Sequence, residues 1–165
     1  MKWERKTIGE ICNVITGGTP KRSRSDYWGG SISWVKISDM LQGEIIKTEE
    51  TITLQGLNES AAKLLEPGTL LLSIFATIGR TAVLKVPAAT NQAIVGLEIT
   101  SNNISREYLV HYLNASAKRL KALSRGIAQD NINTTILKNF PVDFKFIFIE
   151  IFNEFKVIIF FEYRF

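Results

Sequence analysis

The spacing of apolar and polar positions changes several times along the 165 residues. Thr7-Ile8-Gly9-Glu10 has the form of a capping box, with Thr7 as N-cap and Glu10 three residues on. It predicts a short helix to about Asn13 that buries Ile8, Ile11 and Cys12. Gly17-Gly18 ends the element that follows. Ile32 and Trp34 alternate with serines and lead into β-branched residues, which predicts a strand over 31–37. Residues 38–43 read as a turn, and 44–47 and 51–53 as short strands. Asn58 or Ser60 is placed to cap a short helix through Ala61, Ala62 and Leu65, before Pro67-Gly68 breaks the chain. The apolar run 69–74 is short enough to be a buried strand. A turn over 75–80 leads into a strand over 81–86, which Pro87 ends. Asn91-Gln92 opens the next strand, 93–99.

The clearest helical period covers 106–124. Ser105 is a good N-cap, and Ile104 and Leu109 occupy the hydrophobic-staple positions. Leu109, Leu113, Ser116/Ala117, Leu120 and Leu123 form one face, with Tyr108 and Tyr112 beside it and His111 on the exposed side. Lys118, Arg119, Lys121 and Arg125 crowd the last turns, where cations favour the negative end of the helix dipole. They could equally flank nucleic-acid phosphates. Residues 126–133 read as a polar loop. Thr134 or Thr135 starts a short turn toward Leu137, and 139–142 is a final extended piece.

Length and apolar content suit one compact domain. Twenty basic residues against 16 acidic give a net charge of +4, mild enough to agree with a nucleic-acid partner without requiring one. One cysteine, Cys12, and one histidine, His111, exclude an internal disulfide and a Cys/His zinc site. Cys12 reads as a small buried side chain. The opening MKWERKTIGE lacks the apolar run of a signal peptide, and a reducing, cytoplasmic setting is the expectation.

Chemistry concentrates in TGGTPKRSRSDYWGGSISWVKISD, residues 16–39. A flexible glycine turn, stiffened by Pro20, carries a basic tip of Lys21, Arg22 and Arg24 interleaved with Ser23 and Ser25. Tyr27 and Trp28 read as clamps at its base. Guanidinium groups and short hydroxyls on a projecting loop suit phosphate oxygens and base edges. A solvated surface loop is the plainer reading of the same residues. Arg80 fits a phosphate or a nearby carboxylate. Asn91-Gln92 fits adenine in a groove or, more often, loop backbone.

Catalytic motifs are missing. The sequence has no G-x-x-x-x-G-K-[ST] and no glycine-rich strand-to-helix turn for a nucleotide cofactor. Asp39, Glu44 and Lys47 look like turn and edge residues rather than a metal-dependent nuclease centre, and Ser73 and Thr77 have no histidine base near in sequence. Catalysis by this chain alone is therefore not expected.

Composition shifts near residue 144. Nine of the ten phenylalanines lie between Phe140 and Phe165. No uninterrupted apolar run there reaches the roughly 20 residues of a membrane span. The tail, 144–165, reads as a covered strand, a partner surface, or the product of a reading-frame shift.

Three motifs in order resemble the target recognition domain of a type I restriction–modification specificity subunit. They are GGTPKRSRSDYWGGSISWVKISD at 17–39; Gly56-Leu57, Leu65-Glu66-Pro67-Gly68-Thr69, Leu72-Ser73 and Ala76-Thr77-Ile78-Gly79; and Gln129-Asp130-Asn131-Ile132 leading to Pro141. The likeness covers about residues 3–143, so the expected division is a recognition domain over 1–143 and an atypical tail. The resemblance implies an α+β fold with a twisted, mostly antiparallel sheet and a few packed helices. It implies a non-catalytic subunit that reads double-stranded DNA and directs methyltransferase and restriction subunits. S-adenosylmethionine, ATP and Mg would belong to those partners, with no cofactor and no membrane for this chain. Expected DNA contacts are Thr19, Lys21, Arg22, Ser23, Arg24, Lys36, Thr77 and Arg80. Members of the family usually carry a second recognition domain and a spacer helix. Here the Phe/Ile-rich tail stands in the helix's place, which suggests a truncated gene product, a homodimer, or a fragment that only binds partner proteins.

Overall fold

The computed structural model describes residues 3–124 and 131–145, together with the backbone of 149–151 and 154–156. Arg125, the polar-loop residues 126–130 with Gln129 and Asp130, and the remainder of the tail lie outside the described residues.

The chain opens with β1 (Trp3–Thr7), α1 (Ile8–Ile11) and β2 (Cys12–Thr16). Glu10 earns α1 its start: its carboxylate accepts the Thr7 backbone N–H at 2.6 Å and the Thr7 hydroxyl at 2.9 Å. β3 (Trp28–Val35), β4 (Glu44–Ile45), β5 (Glu50–Ile52), α2 (Leu54–Asn58), β6 (Leu70–Ser73) and β7 (Thr81–Leu84) follow. Then come β8 (Ala88–Thr90), β9 (Ile94–Ile99), α3 (Arg106–Ala115), α4 (Ala117–Leu123), α5 (Thr134–Lys138) and β10 (Pro141–Lys145). The backbone of β11 (Ile149–Ile151) and β12 (Glu154–Lys156) pairs as a two-stranded antiparallel sheet.

Five strands make the main sheet in the order β2-β9-β6-β7-β4, and a smaller one runs β5-β3-β8. β1 pairs with β10, which closes the two ends of the domain on each other. Six of the eight pairings among the described residues are antiparallel; β4 with β7 and β3 with β8 are parallel. The α+β, mostly antiparallel expectation therefore describes the fold.

Three layers result. Leu70, Leu72, Val95 and Leu97 turn one face of the main sheet toward Leu109, Leu113, Leu120, Leu137 and Phe144 of the helices and β10. Leu71 and Ile94 turn the other face toward Val35, Met40, Ile45 and Leu65. Trp34, Ile52 and Ala89 fill a third cluster in the smaller sheet. This is why 69–74 is apolar at nearly every position: β6 is buried on both sides, and each leucine removed from water there is worth about 1.5–3 kcal/mol. Cys12 is buried among these residues, and burial pushes its thiol up to about 12. Phe144 is fully buried in β10, so the compositional break near residue 144 falls inside a core strand.

Three helices differ from expectation, the first ending at Ile11 so that Cys12 and Asn13 belong to β2. The short helix lies at Leu54–Asn58 rather than 58–65, because the Thr53 hydroxyl accepts the Gly56 N–H at 3.0 Å and caps it earlier. Leu65 is instead extended, exchanging backbone hydrogen bonds with Ala88. The long helix bends at Ser116, dividing α3 from α4. Asn114 accepts a hydrogen bond from the Thr81 hydroxyl at 2.8 Å, and the bend seats Ala117 against Gly79. Leu123, assigned to the buried face, is 40% exposed.

Gly17-Gly18 is needed for close approach rather than for flexibility. A Cβ on Gly18 would lie 2.3 Å from the Ala62 nitrogen, and one on Gly17 would lie 2.0 Å from the Asn91 oxygen. Gly18→Ala must displace backbone, so it is expected to lower stability by at least about 1–3 kcal/mol, read as a lower midpoint in urea unfolding. An unchanged midpoint would show that the crossing has room.

Candidate nucleic-acid interface

The antiparallel registers bring distant segments to one end of the main sheet. Thr16 of β2 faces Val95, and Ser73 at the end of β6 faces Ile94 at the start of β9. The loops after β2, after β6 and before β9 therefore emerge side by side. The Gly17 N–H donates to the Ile94 carbonyl, Ile74 N–H to Ala93, and Ile132 N–H to Ile74. Phe75 forms a β-bridge with Asn131.

The turn after β6 is built around Ser73. Its fully buried hydroxyl donates to the Thr77 carbonyl and accepts the Arg80 N–H at 3.0 Å. Ala76 has φ of 57°, a left-handed conformation that costs a non-glycine residue about 1–2 kcal/mol. With the Thr77 N–H bonded back to the Phe75 carbonyl at 2.7 Å, it forms a tight γ-type turn. Phe75 and Thr77 are exposed as a consequence, Phe75 by 45%. The Thr19 hydroxyl donates to the side-chain oxygen of Gln92, an exposed residue that lines the same cleft as Phe75. Asn91 behaves as a loop residue: its side-chain oxygen accepts the Ala93 N–H at 3.0 Å.

A cleft of about 400 Å³ opens here, between Phe75, Gln92, Asn131, Asn133 and Thr134, over Ile74. Among the described residues its lining carries no charge, is mostly apolar and is edged by amides. Amide side chains can make paired hydrogen bonds to a planar donor–acceptor edge, and the Phe75 ring offers a stacking or methyl-contact face. The recess of similar size at the far end of the sheet is lined by Glu66 and Glu98 as well as Arg106, so the two ends differ in electrostatic character.

Of the expected contact residues, Thr19 bonds to Gln92 at this end, and Thr77 and Arg80 belong to the turn after β6. Arg80 is half-buried and has no carboxylate partner among the described residues, although a nearby carboxylate was the more frequent expectation for it. Arg22, Arg24 and Lys36 instead pair with the chain's own acids. Arg22 stacks with its guanidinium carbon 3.7 Å from the Trp28 ring centre and makes two hydrogen bonds to Glu50, at 2.5 and 3.0 Å. Trp28 meets Trp34 edge-on at 5.0 Å, and its indole N–H donates to the Lys21 carbonyl. Trp34 in turn donates to the Gly18 carbonyl at 3.0 Å. Arg24 forms a bidentate pair with Asp26 and lies over Tyr27. Lys36 reaches Glu49 at 2.7 Å and Glu50 at 3.1 Å. The tip is thus braced by its aromatics as expected, but much of its charge is met by the chain's own acids. Lys21 and Ser23 are exposed, and Lys21 has no carboxylate partner among the described residues.

Sequence reading missed Phe75 and the Thr19–Gln92 bond. An aromatic in a turn between a buried strand and a glycine was the available signal for the first. Nothing local could signal the second, since 73 positions separate the partners.

A family model for the type I restriction modification DNA specificity domain matches residues 1–144. The chain belongs to this family. The MjaIX specificity subunit of Methanocaldococcus jannaschii, a type I restriction enzyme component, is 30% identical over 147 residues, 86% of this chain and 34% of that protein. The HindI specificity subunit of Haemophilus influenzae is 31% identical over 144 residues, 85% of this chain and 31% of its own length. The specificity-family fold is also seen in the HsdS subunit from Thermoanaerobacter tengcongensis, with a TM-score of 0.66 at 19% identity over 86% of this chain and 32% of that one. A chain from a type I R-M system solved for its complex assembly gives a TM-score of 0.70 at 19% identity, with 86% and 33% covered. The chain spans about a third of the length of these curated relatives.

Arg22, and then Lys36, hold the Glu50 carboxyl at about 2, below its usual 4.5. A depressed carboxyl stabilises the fold above its ordinary value and loses that contribution as pH falls toward the folded value. The stability difference between wild type and Glu50→Gln should therefore shrink as pH falls from about 4.5 to about 2, in urea titrations at each pH. A difference that does not depend on pH would show that the pair contributes nothing.

Proposed function

We propose that this domain binds double-stranded DNA sequence-specifically, as the specificity component of a type I restriction–modification complex that directs methyltransferase and restriction subunits to their target. Support comes from one observation above all. Phe75, Gln92 and residues 131–134 line one amide-edged cleft with no charged side chain among its described residues, and Thr19 bonds to Gln92 at its edge. Neutral groups of this kind discriminate base edges, at about 1–3 kcal/mol per good bidentate pair, whereas cations bind any phosphate. In this reading Thr19, Thr77 and Gln92 face the bases, and Lys21, Ser23 and Arg80 the backbone. Arg22, Arg24 and Lys36 shape the loop through their own ion pairs.

Methylation, translocation and cleavage, with S-adenosylmethionine, ATP and Mg²⁺, fall to partner subunits in the cytoplasm. The other half of a split site falls to a second recognition domain or a second copy of this chain. Among the described residues no helix is long and apolar enough to cross a membrane. The self-paired cations of the tip favour one competing reading, a module that binds a methyltransferase without reading DNA.

Selection of a random-sequence duplex pool by the purified chain distinguishes the two. The expected result is enrichment of a short motif, weakened at one or more positions by Thr77→Ala or Gln92→Ala. Retention of a methyltransferase with no enriched motif would decide for the competing reading.

A further inference from the structure

The amides of the cleft are not equivalent once their hydrogen bonds are followed. Gln92 lines it, and the Gln92 side-chain oxygen accepts the Thr19 hydroxyl. Asn133 lines it too, and its side-chain oxygen accepts the Ile136 N–H at 2.8 Å as the N-cap of α5. A backbone N–H only donates, so the Asn133 carboxamide is held with its oxygen toward the helix. Asn91, next to Gln92 in sequence, commits its oxygen in the same way to the Ala93 N–H. What Gln92 and Asn133 keep for a ligand is therefore weighted toward their amide N–H donors. Among the described residues the lining holds no Asp or Glu, and Asn131 is its one amide with neither group engaged.

The groups that hold these amides are themselves fixed. Thr19 follows the Gly17-Gly18 crossing, where the two N–H groups bond to the Ile94 and Thr90 carbonyls. Asn133 follows Ile132, which is buried and donates to the Ile74 carbonyl, and Asn131 bridges Phe75. Donors fixed before a ligand arrives avoid the cost of ordering flexible side chains. Asn and Gln read adenine when one amide offers its oxygen and its N–H side by side. An oxygen already bonded to the protein makes that pairing poorer. Guanine presents two acceptors, N7 and O6, on its major-groove edge, and two N–H donors match both. Cytosine presents an N–H donor and calls for a carboxylate, which the described lining lacks.

We infer that this cleft selects a guanine through the amide N–H groups of Gln92 and Asn133, and that Thr19 is the positioning residue that makes Gln92 a donor rather than an adenine reader. The inference rests on the DNA-binding reading above and deepens it to one base.

Sequencing of random duplexes selected by the purified full chain, in parallel for wild type and variants, tests this. Wild type should enrich a motif with guanine at the position that Gln92→Ala relaxes. At that position 7-deazaguanine, which lacks the N7 acceptor, should weaken binding about three- to tenfold in fluorescence anisotropy. Inosine, which keeps N7 and O6, should bind as guanine does. Thr19→Val should move the preference there toward adenine, and Thr19→Ser should keep guanine, a change of base that simple loosening of the loop would not produce. The assignment is refuted if the Gln92-dependent position is an A·T pair, if 7-deazaguanine binds as well as guanine, or if Gln92→Ala leaves the whole motif intact. Each of those results leaves DNA recognition standing. A wild-type chain that enriches no motif overturns the DNA-binding reading itself, and the guanine site with it.

Discussion

The structure depends on a crossing of two backbones at Gly17-Gly18. The Gly18 N–H donates to the Thr90 carbonyl at 2.8 Å and its own carbonyl accepts from Trp34, so one residue ties β2 of the main sheet to β8 and β3 of the smaller one. The approach is so close that a single added carbon would collide with Ala61 and Ala62. Sheet-to-sheet packing, the exit direction of the basic loop and the meeting of Thr19 with Gln92 all follow from that seam. Backbone contact of this kind tolerates only glycine, which gives the GGTP segment a steric meaning as well as a chemical one.

Electrostatics divides the molecule along a different line. The basic tip carries three cations in four residues, yet Arg22 and Arg24 are committed to Glu50 and Asp26 and to aromatic faces. Exposed ion pairs are each worth about 0–1 kcal/mol, but several sharing Glu50, with a tryptophan stack, order a loop that would otherwise sample many shapes. The tip is then a shaped wall with a modest field, and among the described residues Lys21 is its one cation with no carboxylate partner.

Much of the fold was legible from short-range pattern. The Thr7–Glu10 box, the Ser105 cap and the buried runs that became β6, β7 and β9 all have local causes. What failed had non-local causes. The helix near residue 60 was preempted by Thr53 and by the pairing of Leu65 with Ala88, and the bend at Ser116 follows from contacts with Thr81 and Gly79. At the candidate site, residue types pointed to loops and the ordered motifs to the right family. They could not tell a free arginine from a paired one, because Glu50 lies 28 positions from Arg22. Nor could they show that Phe75 and Asn131 share one cleft, since strand register decides that.

The central claim is that one end of the main sheet, rather than the tip of the basic loop, faces the nucleic acid. Hydrogen–deuterium exchange of the full chain with and without a duplex tests it most directly. The account predicts new protection in residues 74–80, 91–93 and 131–134. Protection confined to residues 21–25, or to the far-end segments 67–68 and 101–104, would contradict it.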